Sequence, residues 1–225
     1  MTTSTTFTEV RIPADAIWLN GDLALPASAA GLVLFAHGSG SGRHSARNRQ
    51  VATGLQRTGF ATLLFDLLTP DEERIDQHTR EHRFDIALLT RRLRASAAWM
   101  RTQAELARLP LGFFGASTGS AAALIAAAQL GRQVDAVVSR GGRPDLAGPA
   151  ALAAVTAPTL LIVGGADTEV LALNEQALRS LHCARELSVV PHATHLFEEQ
   201  GALAQVTQLA AHWFQQHLVA AVHPA

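Results

Sequence analysis

From Leu111 to Ala128 an apolar run, Leu111-Gly112-Phe113-Phe114-Gly115-Ala116, passes through Ser117-Thr118-Gly119-Ser120 into an alanine-rich stretch with no loop between them. A buried strand must therefore turn into a helix within very few residues. In so sharp a turn, side chains two positions before and two after the serine would collide, so glycine at 115 and 119 answers a steric demand. The serine is left at the tip, in strained backbone, with its Oγ clear of the sheet. The helix that follows aims its first N–H groups toward that oxygen. A chain built around this segment needs a sheet covered by helices and open at one edge, which places it in the α/β class.

The remaining sequence supplies such a sheet, because short apolar runs alternate with helix-length segments throughout. Phe7–Pro13 and Ile17–Pro26, with Asn20-Gly21-Asp22 inside the second, read as an antiparallel edge hairpin. Further strands are expected at Leu32–Ala36, Ala61–Asp66, Leu111–Ala116, Val134–Ser139, Thr159–Gly164 and Leu187–Val190. Helices are expected over Ala46–Thr58, from about Arg83 to Ala107, and over Thr118–Leu130, Thr168–Ser180 and about Ala202–Leu218. The expectation is one domain over residues 1–225, with 1–6 a flexible tail, holding a mostly parallel eight-stranded sheet. Between Arg140 and Pro158 there is room for one short helix and two turns, so no cap domain is expected. The cleft at the carboxyl edge should then be open and lined by Leu67, Leu68 and Phe197.

Composition removes several chemistries. All 18 basic residues are Arg, so a lysine Schiff base, a P-loop lysine and a Ser-Lys dyad are excluded, and the absence of Tyr removes tyrosine acids. A net charge of −1 gives no global field for nucleic acid or an anionic membrane, and neither is expected as a partner. The lone Cys183 fits a reducing cytoplasm, and the amino-terminal residues lack the basic and apolar blocks of a secretory leader. No cofactor and no metal are expected: His78 and His82 share a helical spacing but sit among Arg and Glu, which reads as a solvated face.

A serine hydroxyl is a weak nucleophile at neutral pH and requires a base. Downstream of Ser117, the strand ending in Gly164-Gly165-Ala166 delivers Asp167, and the strand ending at Val190 opens into Pro191-His192-Ala193-Thr194-His195. The order Ser, acid, His points to Ser117, Asp167 and His195 as nucleophile, orienting acid and base. Asp167 could instead cap the helix that starts at Thr168, and His192 is a rival base. A tetrahedral oxyanion needs preorganised N–H donors, for which Thr118 and, in the loop His37-Gly38-Ser39-Gly40-Ser41-Gly42, Ser39 are the candidates.

These segments, His37-Gly38-Ser39-Gly40, Gly115-Ala116-Ser117-Thr118-Gly119, Gly164-Gly165-Ala166-Asp167 and Ala193-Thr194-His195-Leu196-Phe197, resemble the dienelactone hydrolase-like branch of the α/β-hydrolases over about residues 10 to 218. The resemblance implies the same triad and a mostly parallel eight-stranded sheet. It also carries a departure, since dienelactone hydrolase proper uses a cysteine nucleophile where this chain has Ser117. The expected activity is hydrolysis of small carboxylic esters or thioesters through an acyl-enzyme. A peptidase or acyltransferase would share every residue named, and a silent binding module would share the fold. Arg43, just past the glycine loop, and Arg140, ending the strand beside the nucleophile strand, are candidate contacts for a substrate carboxylate or phosphate. The alternative reading pairs Arg43 with Asp66, and Arg143 with Asp145.

Overall fold

A computed structural model describes residues 7–218. The strands are β1 (Thr8–Ala14), β2 (Ile17–Ala24), β3 (Leu32–Ala36), β4 (Ala61–Phe65), β5 (Leu111–Ala116), β6 (Ala136–Arg140), β7 (Thr159–Gly164) and β8 (Arg185–Val190). The helices are α1 (Ala46–Arg57), α2 (Pro70–Thr79), α3 (Ile86–Thr102), α4 (Thr118–Leu130), α5 (Pro149–Ala154), α6 (Thr168–Ser180) and α7 (Ala202–His217). All eight strands form one sheet in the order β1-β2-β4-β3-β5-β6-β7-β8, in which β2 alone runs against the others.

The central strands are apolar on both faces because helices cover both. Along β3, Leu32, Leu34 and Ala36 join the core beneath α3 and α4, while Val33 and Phe35 join the core beneath α1 and α7. On β5, Phe113 and Phe114 are buried on opposite faces, each stabilising the fold by about 1.5–3 kcal/mol relative to exposure. In α4, alanines 121, 122, 123, 126 and 127 are all sealed, so this helix lies close against the sheet.

The expected hairpin, the parallel core and the uncapped interval are all present, with α5 and a 3-10 turn over Pro144–Ala147 filling the stretch after β6. One expectation is corrected. The long helix expected from about Arg83 to Ala107 is α3, which runs only from Ile86 to Thr102, and a further helix, α2, precedes it outside the expected elements. Arg80 with φ 60° ends α2 in the left-handed region. The signal for α2 stands in the sequence: Thr69 accepts from the Glu72 N–H, Glu72 reaches back to the Thr69 N–H, and Pro70 fits the first turn. Asp85 accepts from Leu88 N–H and starts α3 at Ile86. His78 therefore lies in α2 and His82 beyond its end, and the two do not share a helix face.

The strand order decides where chemistry can occur. β5 is central, with β3 and β6 beside it, so the loops leaving these strands flank the turn at Ser117. The loops leaving β7 and β8 carry Asp167 and His195 along the same carboxyl edge, the place where open α/β sheets bind ligands.

Candidate active site

Ser117 adopts φ 51° and ψ −121°, backbone that a residue with a Cβ rarely takes. Tight neighbours hold it there. A Cβ on Gly119 would lie 2.2 Å from the Ala36 carbonyl oxygen and 2.4 Å from that of His37, and one on Gly115 would lie 2.5 Å from Ser120 Cα. The turn is pinned further by hydrogen bonds from Ser117 N–H to Arg140 O and from Arg143 N–H to Ser117 O. The Ser117 hydroxyl makes no hydrogen bond to another described residue, and it opens into a cavity of about 170 Å³ shared with Ser39, Arg140, His195 and Leu196.

Asp167 occupies the N-cap position of α6 yet makes no side-chain capping bond. Its Oδ2 instead lies 2.7 Å from His195 Nδ1. That contact assigns the Nδ1 proton to the side facing the carboxylate and leaves Nε2 as the lone-pair nitrogen. His192, the rival base, does not bond Asp167 and is absent from the cleft lining. The His195 loop approaches the sheet closely at Gly141, where φ is +52° and a Cβ would lie 3.2 Å from His195 O. The Gly141-Gly142 pair is thus a part of the site that the sequence displayed but that the reading of motifs passed over.

Ser39 and Thr118 come together, their hydroxyls 3.1 Å apart. Among the described residues neither backbone N–H donates to a protein acceptor, so both are free to meet an oxyanion. The loop carrying Ser39 is anchored by His37. Leu67 N–H donates to His37 Nε2 at 2.9 Å, so Nδ1 must carry the proton, and it faces Gly38 O at 3.0 Å. Burial pushes the His37 pKa down, keeping the ring neutral as both bonds require.

Four expected contact residues are placed as follows. Arg140 lines the cleft beside Ser117 and His195. Arg43 is committed elsewhere: its guanidinium pairs with Asp66 and with the buried Asp22, and its N–H also donates to Asp66. Leu67 is a correction, since its side chain is fully buried in the core and the neighbouring Leu68 lines cavity instead. Phe197 is a second correction. Its backbone, at φ 56°, turns the ring into the core, where it sits 5.8 Å from the Arg140 guanidinium carbon, and Leu196 takes the cleft-lining place.

Among the described residues no three His, Cys, Asp or Glu side chains gather to hold a metal, and no helix is long and apolar enough to cross a membrane.

Residues 29–218 match a protein-family model described as an alpha/beta hydrolase domain. The crystal structure of a dienelactone hydrolase from Anabaena variabilis superposes with a TM-score of 0.93 at 54% identity, covering 95% of this chain and 99% of that one. Carboxyl esterase 2 of the fungus Tuber melanosporum shares the fold at 16% identity and a TM-score of 0.75, over 96% of this chain and 89% of its own. Two Mycobacterium tuberculosis proteins, from strains CDC 1551 and H37Rv, are 56% identical over 93% of this chain and carry the provisional name phosphoribosyl transferase. The match covers 46% of their length, so the chain spans about half of these relatives.

Proposed function

This chain belongs to the α/β-hydrolase family, and from its cleft we propose that it is a serine hydrolase cleaving small carboxylic esters or thioesters through an acyl-enzyme. The observation that carries the reading is the His195–Asp167 pair, 2.7 Å apart, in the cleft where the unbonded Ser117 hydroxyl emerges. Asp167 holds the imidazole in the tautomer whose Nε2 accepts the Ser117 proton as the Oγ–acyl bond forms. The Ser39 and Thr118 N–H groups receive the oxyanion. His195 then returns the proton to the departing alcohol or thiol, and water repeats the sequence in reverse to free the acid.

The small volume at Ser117 and the missing cap favour short acyl groups, because an uncovered methylene gains little of the roughly 0.8 kcal/mol available on full burial. Phosphoribosyl transfer, the name given to the longer mycobacterial relatives, is not what these groups are equipped for: a hydroxyl beside an imidazole–carboxylate pair and two free N–H donors suits acyl chemistry. Transfer to an alcohol in place of water would use the same residues. A panel of activated esters graded in acyl length tests the reading, with added methanol separating hydrolysis from transfer. Turnover falling with acyl length, abolished in Ser117→Ala, is the expected outcome, and turnover that survives this substitution refutes the assignment.

A further inference from the structure

Arg140 is 7% exposed and has no carboxylate partner. Its Nη2 donates to Asn48 Oδ1 at 3.2 Å, its Nε is sealed without an acceptor, and Nη1 also takes no acceptor among the described residues. Burial lowers its pKa to about 10, with the charge of Arg47 adding to the effect. A guanidinium at that value is still charged at neutral pH, so the fold retains a buried cation beside Ser117 without neutralising it. Such an arrangement is costly unless a ligand completes it.

A second feature meets it. The cleft around Ser117 is lined by Arg47 and Arg140 together with Ser41 and Ser45, and by no carboxylate. Of the acids near by, Asp66 is taken by Arg43 and Glu198 by Arg47, while Glu73 lines the adjoining cavity of about 530 Å³. Between the two cavities lies the start of α1, a helix of 12 residues with no acidic residue in its first turn. Ser45 caps the Asn48 N–H, and the N–H groups of Ala46 and Arg47 donate to no described residue. Free N–H groups at a helix start, joined by two guanidinium groups and hydroxyls, form an anion cradle.

We propose that this end of the cleft, framed by Arg140, Arg47 and the first turn of α1, is a subsite for a phosphate group carried by the ester substrate. The proposal rests on the hydrolase reading for the words "ester substrate", while the subsite itself can be tested without turnover. Arg140 supplies an uncompensated charge, Arg47 shares its own with the exposed Glu198, and the tetrahedral oxygens of a phosphate reach helix N–H, guanidinium and hydroxyl donors together. A planar carboxylate has two oxygens and one charge, and leaves part of this set unmet.

The test titrates inorganic phosphate into the 225-residue chain carrying Ser117→Ala, followed by phosphorus NMR, with Arg140→Gln and Arg140→Met made in the same background and checked by thermal melting. Saturable binding that weakens about tenfold or more in both variants is expected, the scale of losing one charge-assisted contact. Arg140→Met removes an unneutralised buried charge but also the bond to Asn48, so it should melt close to its parent, and loss of binding in a variant that melts so is not loss of fold. Phosphate bound equally by parent and variants overturns the proposal, and so does displacement of phosphate by equimolar acetate. In the Ser117-intact protein, an ester bearing a phosphate should exceed its neutral isostere in kcat/KM, with the advantage shrinking as salt is raised. Ester cleavage without phosphate binding removes the subsite and leaves the hydrolase. Phosphate binding through Arg140 without cleavage of any ester keeps the subsite and removes the hydrolase reading.

Discussion

Replacing Ser117 with glycine should make the protein more stable while removing its nucleophile. At φ 51° and ψ −121° the serine sits where a Cβ clashes with its own backbone, a strain of about 1–3 kcal/mol. Glycine accepts this conformation freely, but its looser unfolded chain offsets about 0.4–1 kcal/mol of the gain. The Ser117 hydroxyl bonds no other described residue, so its removal breaks no hydrogen bond that would offset the relief. A net stabilisation of about 1 kcal/mol follows, and for a chain of this size that corresponds to roughly 2–4 °C in Tm. Ser117→Ala is the control: it keeps the Cβ and hence the strain, and should stay within about 0.5 kcal/mol of wild type. Urea unfolding and calorimetry on the three proteins measure the difference. A glycine variant no more stable than the alanine variant would refute the claim that the turn stores strain at the nucleophile.

Other expectations follow from the same geometry. Gly119→Ala drives a Cβ to 2.2 Å from a backbone oxygen that cannot move aside, and should cost more than about 3 kcal/mol in urea unfolding or prevent folding altogether. His195→Ala should lower ester kcat/KM by about a thousandfold or more, as expected for a member of a cooperating set, whereas His192→Ala should change it little; the opposite ranking would reassign the base. His37 is held neutral by burial, with its pKa below the ordinary imidazole value of 6.5. The unfolded chain then binds more protons than the folded one as pH falls below that value, so the His37 contribution to stability is present at higher pH and is lost on acidification. Unfolding free energies measured from pH 8 to pH 5 should fall more steeply in wild type than in His37→Gln, and equal slopes would contradict the burial argument.

How far the sequence alone led can be traced residue by residue. The β5–Ser117–α4 turn was legible because its constraints are local: two glycines and a serine at fixed spacing answer contacts made within a few residues. The carboxyl ends of β7 and β8 were legible for the same reason, and the meeting of Asp167 and His195 followed from the strand order. Side-chain direction just past a strand was not. Leu67 and Leu68 are equally apolar and both buried, and that only Leu68 also borders a cavity is not written in two adjacent identical residues. Phe197 was misplaced because its left-handed backbone reverses the direction that an extended loop would give. Of the arginines, the pairing of Arg43 with Asp66 was one of the two readings offered, whereas the added contact from Asp22 in the edge hairpin and the bond from Arg140 to Asn48 in α1 depend on partners that strand order alone does not bring together. α2 was missed although its signals, Thr69, Pro70 and Glu72, were local, because the apolar spacing that marked a helix begins only beyond its end, and that spacing ran past the true start of α3 at Asp85.

The most direct test of the chemistry is to trap the covalent intermediate. Wild-type protein mixed with a short-chain activated ester and quenched in acid within one turnover should gain the acyl mass once, on the peptide containing Ser117. Ser117→Ala should gain none. An acyl group found on another residue, or full ester turnover with no mass added to the Ser117 peptide, would contradict a serine acyl-enzyme in this cleft.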